Sequence, residues 1–321
     1  MKQRRVVPVI AAGLAIGLSL AGCGGGAKVE DGGGGSKGGG GGTVNIAINP
    51  WVGYEASAAV VSELLEKELG YKVQKKNLKE EVAWQGFESG EVDVIIENWG
   101  HPDLKKKYIE QKKVAAVAGS TGNKGVIGWY VPSWMESKYP GITDWKNLNK
   151  YASVFKTSES GGKGQLLFGD PSYVSNEKAL ITNLKLDYKV VVGGSEATLI
   201  KSAQQSESQQ KPLLFYFWDP HWLFSKIKLS RVKLPPYTEG CDADPKKVAC
   251  DYPEMDLDKI VSTKFAGSGG KAYQLVKSFT WTNEDQNGVA NDMTNNSMTA
   301  EQAAKKWIDA NKSKWQAWIP K

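Results

Sequence analysis

From Thr43 onward, short apolar runs alternate with amphipathic stretches, and this alternation constrains the fold more than any other feature. VNIAI (44–48) reads as a buried strand. After the turn Asn49-Pro50-Trp51-Val52-Gly53, residues 54–69 carry Val61, Leu64, Leu65 and Leu69 on one stripe. That stripe predicts a helix, and Gly70 is its C-terminal stop. Residues 71–78 form a second strand, 81–88 a short helix ending at Ser89-Gly90, and VDVII (92–96) a third strand. Strand, helix, strand, helix, strand predicts a parallel sheet with right-handed crossovers, hence an α/β fold. Residues 126–135 read as an extended crossover. A second series follows: strand 165–168, a helix near 174–184, strand 189–192, helix 196–207 and strand 213–219. Residues 260–265 return the chain to the first series. The tail is helical over 271–279, 284–293 and 299–315, and Thr299-Ala300-Glu301-Gln302 supplies a capping box. The pattern divides the chain into two α/β lobes. The first is discontinuous (43–128 and 256–321) and the second contiguous (129–255).

The strand exits carry the functional signal. In LLFYFWDPHW (213–222) an apolar run ends at Trp218-Asp219-Pro220. Pro220 cannot donate to a ladder, so Trp218 sits at a carboxyl strand end, where open α/β sheets place ligands. VDVIIENW (92–99) repeats this arrangement with Trp99, and Trp51 follows the first strand in the same way. Parallel strands share one rim, so Trp51 and Trp99 are expected on the same one. The chain holds 12 Trp and 12 Tyr, more large flat side chains than a core requires. Trp129, Trp134 and Trp222 read as structural. Trp145, Trp281, Trp307, Trp315 and Trp318 read as helix packing.

The first 42 residues are of another kind. Lys2, Arg4 and Arg5 precede the apolar run 6–20, which is too short for a comfortable membrane span. Leu20-Ala21-Gly22-Cys23 then resembles the lipobox of bacterial lipoproteins, which makes 1–23 a lipoprotein signal peptide and Cys23 the lipidated residue. The Gly-rich stretch 24–42 cannot bury a core and reads as a linker with a mean reach of roughly 25 Å. Of three cysteines, Cys241 and Cys250 are then left to pair across a short polar loop outside the reducing cytosol. The net charge of +6 is spread over Lys-rich faces with no nucleic-acid motif beside them. Enzyme signatures are missing: the chain has two His, no His-Glu-x-x-His and no Gly-x-Ser-x-Gly. Gly267-Ser268-Gly269-Gly270-Lys271 is followed by Ala272, where a phosphate loop needs Ser or Thr.

Five motifs in order carry a family resemblance: NPWVGYEA (49–56), SGEVDVIIENW (89–99), GDPSYVSNEKAL (169–180), GSEATLI (194–200) and LLFYFWDPHW (213–222). Together they resemble the glycine betaine/proline betaine-binding proteins of ABC-type osmoprotectant importers. The resemblance implies a two-lobed fold of periplasmic-binding-protein type (type II) that closes by hinge motion. It implies an aromatic box for a quaternary ammonium, made of Trp99 from the first lobe with Tyr173 and Trp218 from the second. Trp51 is either a further wall or rim packing. For a ligand carboxylate, Gly169–Tyr173 leads into a helix start whose free backbone N–H groups near Val174 and Ser175 make an anion cradle, and the resemblance adds His101 as a donor. If Asp103 rather than His101 faces the ligand, a hydroxyl as in choline is favoured; Glu97 and Asp219 raise the same alternative. The implied partners are the small ammonium ligand, the importer's permease and ATPase, and a membrane reached through the lipid anchor. Glycine betaine or proline betaine is the expected ligand, with choline, carnitine or another small amine as the alternative. No cofactor, metal, catalytic residue or nucleic acid is expected, and the protein is expected to be a monomer in the cell envelope.

Overall fold

The computed structural model describes residues 41–321. The targeting segment 1–23 with Cys23, and the linker up to residue 40, lie outside the described residues. Strands β1 (Thr43–Ile48), β2 (Lys72–Asn77) and β3 (Val94–Asn98) are parallel in the order β2-β1-β3. Helices α1 (Val52–Lys67) and α2 (Glu80–Ser89) join them. Gly90 ends α2 in the left-handed region, φ 75°, and its N–H donates to the Gly86 carbonyl, the conformation glycine reaches without a Cβ penalty. After a short turn of helix α3 (Pro102–Lys105) comes β4 (Ala115–Pro132), 18 residues long. The second parallel group, β5 (Gly164–Phe168), β6 (Tyr188–Val192) and β7 (Phe215–Asp219), is ordered β7-β5-β6. Between its strands lie α5 (Glu177–Asn183) and α6 (Glu196–Gln209), and before it α4 (Trp134–Lys138) and a 3-10 run, Trp145–Phe155.

The two groups are wings of one nine-stranded sheet. β4 runs antiparallel to β9 (Glu254–Ser262) along its first part and to β7 along its second, from Val126 to Tyr130. Strand β8 (Leu229–Arg231) also pairs with β4. β9 returns the chain beside β3, where the sequence placed the return at 260–265. The first half of β4 is the main departure from expectation. Gly119 and Gly122, with φ 97° and 88°, break the alternation there, and the register with β9 shifts around Ser120. Helices α7 (Thr263–Gly267), α8 (Lys271–Ser278), α9 (Asn283–Asn295), α10 (Ala300–Ala310) and α11 (Lys312–Trp315) complete the chain, with α9 and α10 packed on α1. The capping box at Thr299 is formed: Gln302 N–H donates to Thr299 Oγ1 (3.2 Å) and Thr299 N–H to Gln302 Oε1 (2.9 Å). Cys241 and Cys250 are joined, their Cα atoms 6.3 Å apart. Among the described residues no helix is long and apolar enough to cross a membrane.

Candidate functional site

The carboxyl ends of the parallel strands of both wings face one pocket of about 280 Å³, a volume that includes space open to solvent. Trp51 (after β1), Glu80 (after β2) and Trp99 (after β3) line it from the first wing. Tyr173 and Val174 (after β5) and Tyr216 and Trp218 (in β7) line it from the second, with Ile127 of β4 between. Trp51 and Tyr173 meet edge to face across the wings, centroids 6.0 Å apart, and Tyr173 meets Trp218 in the same way at 5.3 Å. The face of each ring carries the negative end of its quadrupole, so several rings around one volume offer a cation both charge attraction and apolar contact. Two glycines allow the close approach. A Cβ on Gly125 would come within 2.8 Å of the Trp99 ring, and one on Gly169 within 2.9 Å of Tyr173.

Behind the first-wing tryptophans lies a buried carboxylate. Glu97 Oε1 accepts the indole N–H of Trp51 (2.9 Å) and of Trp99 (2.8 Å). Its Oε2 accepts from Ser57 Oγ (3.1 Å) and from Gln286 Nε2. Gln286 Oε1 in turn accepts from Asn123 Nδ2 (3.1 Å), whose Oδ1 accepts from Trp281 Nε1 (3.0 Å). Burial pushes the Glu97 pKa up, against four hydrogen bonds that favour its charged form. Glu97 therefore fixes the orientation of two rings and stands outside the pocket wall.

The remaining expected residues fall as follows. His101 Nε2 lies 2.9 Å from Glu80 Oε1, so the imidazole sits behind a carboxylate that itself lines the pocket. Burial lowers the His101 pKa, but the hydrogen bond and charge of Glu80, with Asp103 and Glu81, outweigh it and hold the value above the ordinary one. Asp103 is exposed and Asp219 partly buried; neither lines the pocket. Val174 does, while Ser175 is exposed and donates to Glu177 Oε2 (2.5 Å). The helix expected near 174 begins at Glu177. The Glu177 side chain is fully buried at that helix start, and its Oε1 accepts from Tyr252 Oη at 2.5 Å. Burial raises the Glu177 pKa. Trp129 and Trp222 are fully buried and Trp134 partly so. Trp307 stacks on Trp318 at 5.9 Å and meets Trp281 edge to face at 5.6 Å, an aromatic core under α9 and α10.

Three wall residues escaped the sequence reading: Ile127, which lies in the stretch read only as an extended crossover, Tyr216 and Glu80. Tyr216 lies two positions before Trp218 on the same face of β7, a relation visible only once the strand is known to point that face at the pocket. Glu80 follows a strand, KVQKKN, that lacks the apolar run marking the other exits. Among the described residues lining the pocket, Glu80 is the one charged side chain.

Contacts between the wings surround the pocket. Tyr173 Oη donates to the Pro50 carbonyl (3.0 Å), Val52 N–H to Glu196 Oε2 (3.0 Å), and Lys79 Nζ to Asp170 Oδ1 (3.3 Å). Glu196 Oε1 also lies 3.0 Å from His221 Nε2. Although burial opposes it, hydrogen bonds from Ser172 and Lys79 lower the Asp170 pKa.

Residues 42–310 match the profile of the family described as the substrate binding domain of ABC-type glycine betaine transport systems. The chain is 25% identical over 279 residues to the trimethylamine N-oxide-binding protein of Pelagibacter ubique (strain HTCC1062), covering 84% of this chain and 88% of that one. It superposes on lactococcal OpuAC in its closed, glycine betaine-bound conformation with a TM-score of 0.67 at 26% identity, covering 87% of this chain and 99% of that one. A choline-bound ABC-transporter choline-binding protein has the same fold, with a TM-score of 0.68 at 18% identity over 86% of this chain and 92% of that one.

Proposed function

Because this chain belongs to the family of substrate-binding domains of ABC-type glycine betaine transport systems, we propose that it is the extracytoplasmic receptor of an osmolyte importer. It captures a small quaternary ammonium compound of the glycine betaine and choline kind and delivers it to a membrane permease driven by an ATPase. One observation carries this reading: Trp51 and Trp99 from one wing and Tyr173 and Trp218 from the other converge on one pocket. A trimethylammonium group has no strong hydrogen bond to offer and a charge spread over methyls. Aromatic faces supply quadrupole and apolar contact together, about 0.5–2 kcal/mol each when desolvated. Micromolar binding needs about 8 kcal/mol, so methyl burial and contacts at the ligand's far end supply the rest.

The working lobes are residues 43–128 with 256–321, and 129–255, and they shut on the ligand by a hinge. The receptor acts as a monomer, tethered through Cys23 and the 24–42 linker to the outer face of the cytoplasmic membrane. It performs no catalysis. The closed, loaded form is the one that docks productively on the permease, since the transporter must tell loaded receptor from empty. Isothermal titration with glycine betaine, proline betaine, choline and carnitine tests the ligand class. Saturable heat with at least one is expected, and no heat with any of them overturns the reading.

A further inference from the structure

An aromatic cage for methyl groups needs no acid on its wall, yet this one has Glu80. The residue opens α2 at the carboxyl end of β2 and is 5% exposed, while its neighbour Glu81 faces solvent. Lys79, beside it in sequence, reaches instead to Asp170. The partner of Glu80 is His101, whose backbone stands in the left-handed region (φ 50°, ψ 60°) between the end of β3 and α3. That contact engages Oε1 and leaves Oε2 with no hydrogen bond among the described residues. Glu80 shares the pocket wall with both tyrosines, Tyr173 and Tyr216.

We propose that Glu80, with His101 behind it, reads the far end of the ligand: the pocket takes a trimethylammonium compound that ends in a hydroxyl in preference to one that ends in a carboxylate. The inference rests on the aromatic-box reading above. Glu80 lines the same pocket as the aromatic rings, so its carboxylate is the charged group that a second group on the ligand can meet there. Two carboxylates in one desolvated site oppose each other. A hydroxyl that donates to a charged acceptor gains more than one that donates to a neutral acceptor. His101 moderates the discrimination, because an imidazolium behind Glu80 offsets the charge that repels a betaine.

The test is isothermal titration of tetramethylammonium, choline and glycine betaine into the wild-type chain, Glu80→Gln and His101→Gln, each checked for folding by circular dichroism. Tetramethylammonium has no far end, so it reports the cage alone. The wild type is expected to bind choline about tenfold or more tighter than glycine betaine, the size of one hydrogen bond to a charged group. In Glu80→Gln the choline-to-tetramethylammonium affinity ratio should fall by a similar factor, and glycine betaine should gain on both. In His101→Gln the choline-to-betaine ratio should widen. A wild type that binds glycine betaine as tightly as choline overturns the proposal, as does a ratio that Glu80→Gln leaves unchanged. If Glu80→Gln does not fold, an unchanged ratio in His101→Gln overturns the moderating role, and the wild-type ratio still decides the rest. Wild type that binds none of the three overturns the aromatic-box reading itself.

Discussion

Glu97 Oε1 accepts two indole N–H groups at once, so the first-wing tryptophans are oriented by one atom. Glu97→Ala leaves both buried donors without partners, at about 1–3 kcal/mol each. Lower stability in urea and weaker ligand binding are expected together, with a smaller loss on both counts for Ser57→Ala. Trp218→Ala removes one aromatic wall of the pocket but no hydrogen bond of that network. Its expected effect is a loss of affinity by about 0.5–2 kcal/mol, roughly 2- to 30-fold, read by titration with the preferred ligand. The tryptophans were legible because each follows an apolar run at a strand exit. Glu80 was not. Glu80 and Glu81 are equivalent as letters, and only the packing of α2 against the pocket buries one and exposes the other. Glu97 was visible as a carboxylate in a buried run, but sequence alone could not say whether it faced the ligand or stood behind the rings.

Individual strands and helices were read with uneven success, and for physical reasons. β1, β3 and β7 announce themselves as apolar runs, and α10 by its capping box. The first half of β4 does not, since two glycines in the left-handed region interrupt the period-two pattern that marks a strand. Lys259, in β9, shows what such a reading misses. It is fully buried, and its Nζ donates to the Lys277 carbonyl (3.0 Å) and to the Phe279 carbonyl at the end of α8. Burial pulls its pKa down to about 7. The unfolded chain then holds more protons than the native one between about pH 7 and the free lysine value of about 10.4, so this residue's cost diminishes as pH rises through that window. Wild type is expected to gain stability relative to Lys259→Met between pH 7 and pH 10, measured by urea unfolding at each pH. The Cys241–Cys250 loop is a second local device. Replacing both cysteines with serine is expected to cost about 2–3 kcal/mol in the chain-entropy model, with ligand affinity unchanged because neither residue lines the pocket.

At the scale of the whole molecule, the wings are held together around the pocket by a few polar contacts at its margin. Glu196 makes one of them, accepting from Val52 N–H across the wings, while its other oxygen lies 3.0 Å from His221 Nε2 within its own wing. Glu196→Ala should therefore shorten ligand residence and leave capture nearly unchanged. Stopped-flow tryptophan fluorescence is expected to show a faster dissociation rate with an association rate within a few-fold of wild type; the opposite pattern would place Glu196 in capture instead. The two wings also share one hydrogen-bonded sheet, and β4 belongs to both: Ala115 pairs with β9 and Tyr130 with β7 along the same strand. Neither wing can lose its ladder without freeing an edge of the other. Melting should then be cooperative across the hinge: a single calorimetric transition whose van't Hoff and calorimetric enthalpies agree, with or without ligand.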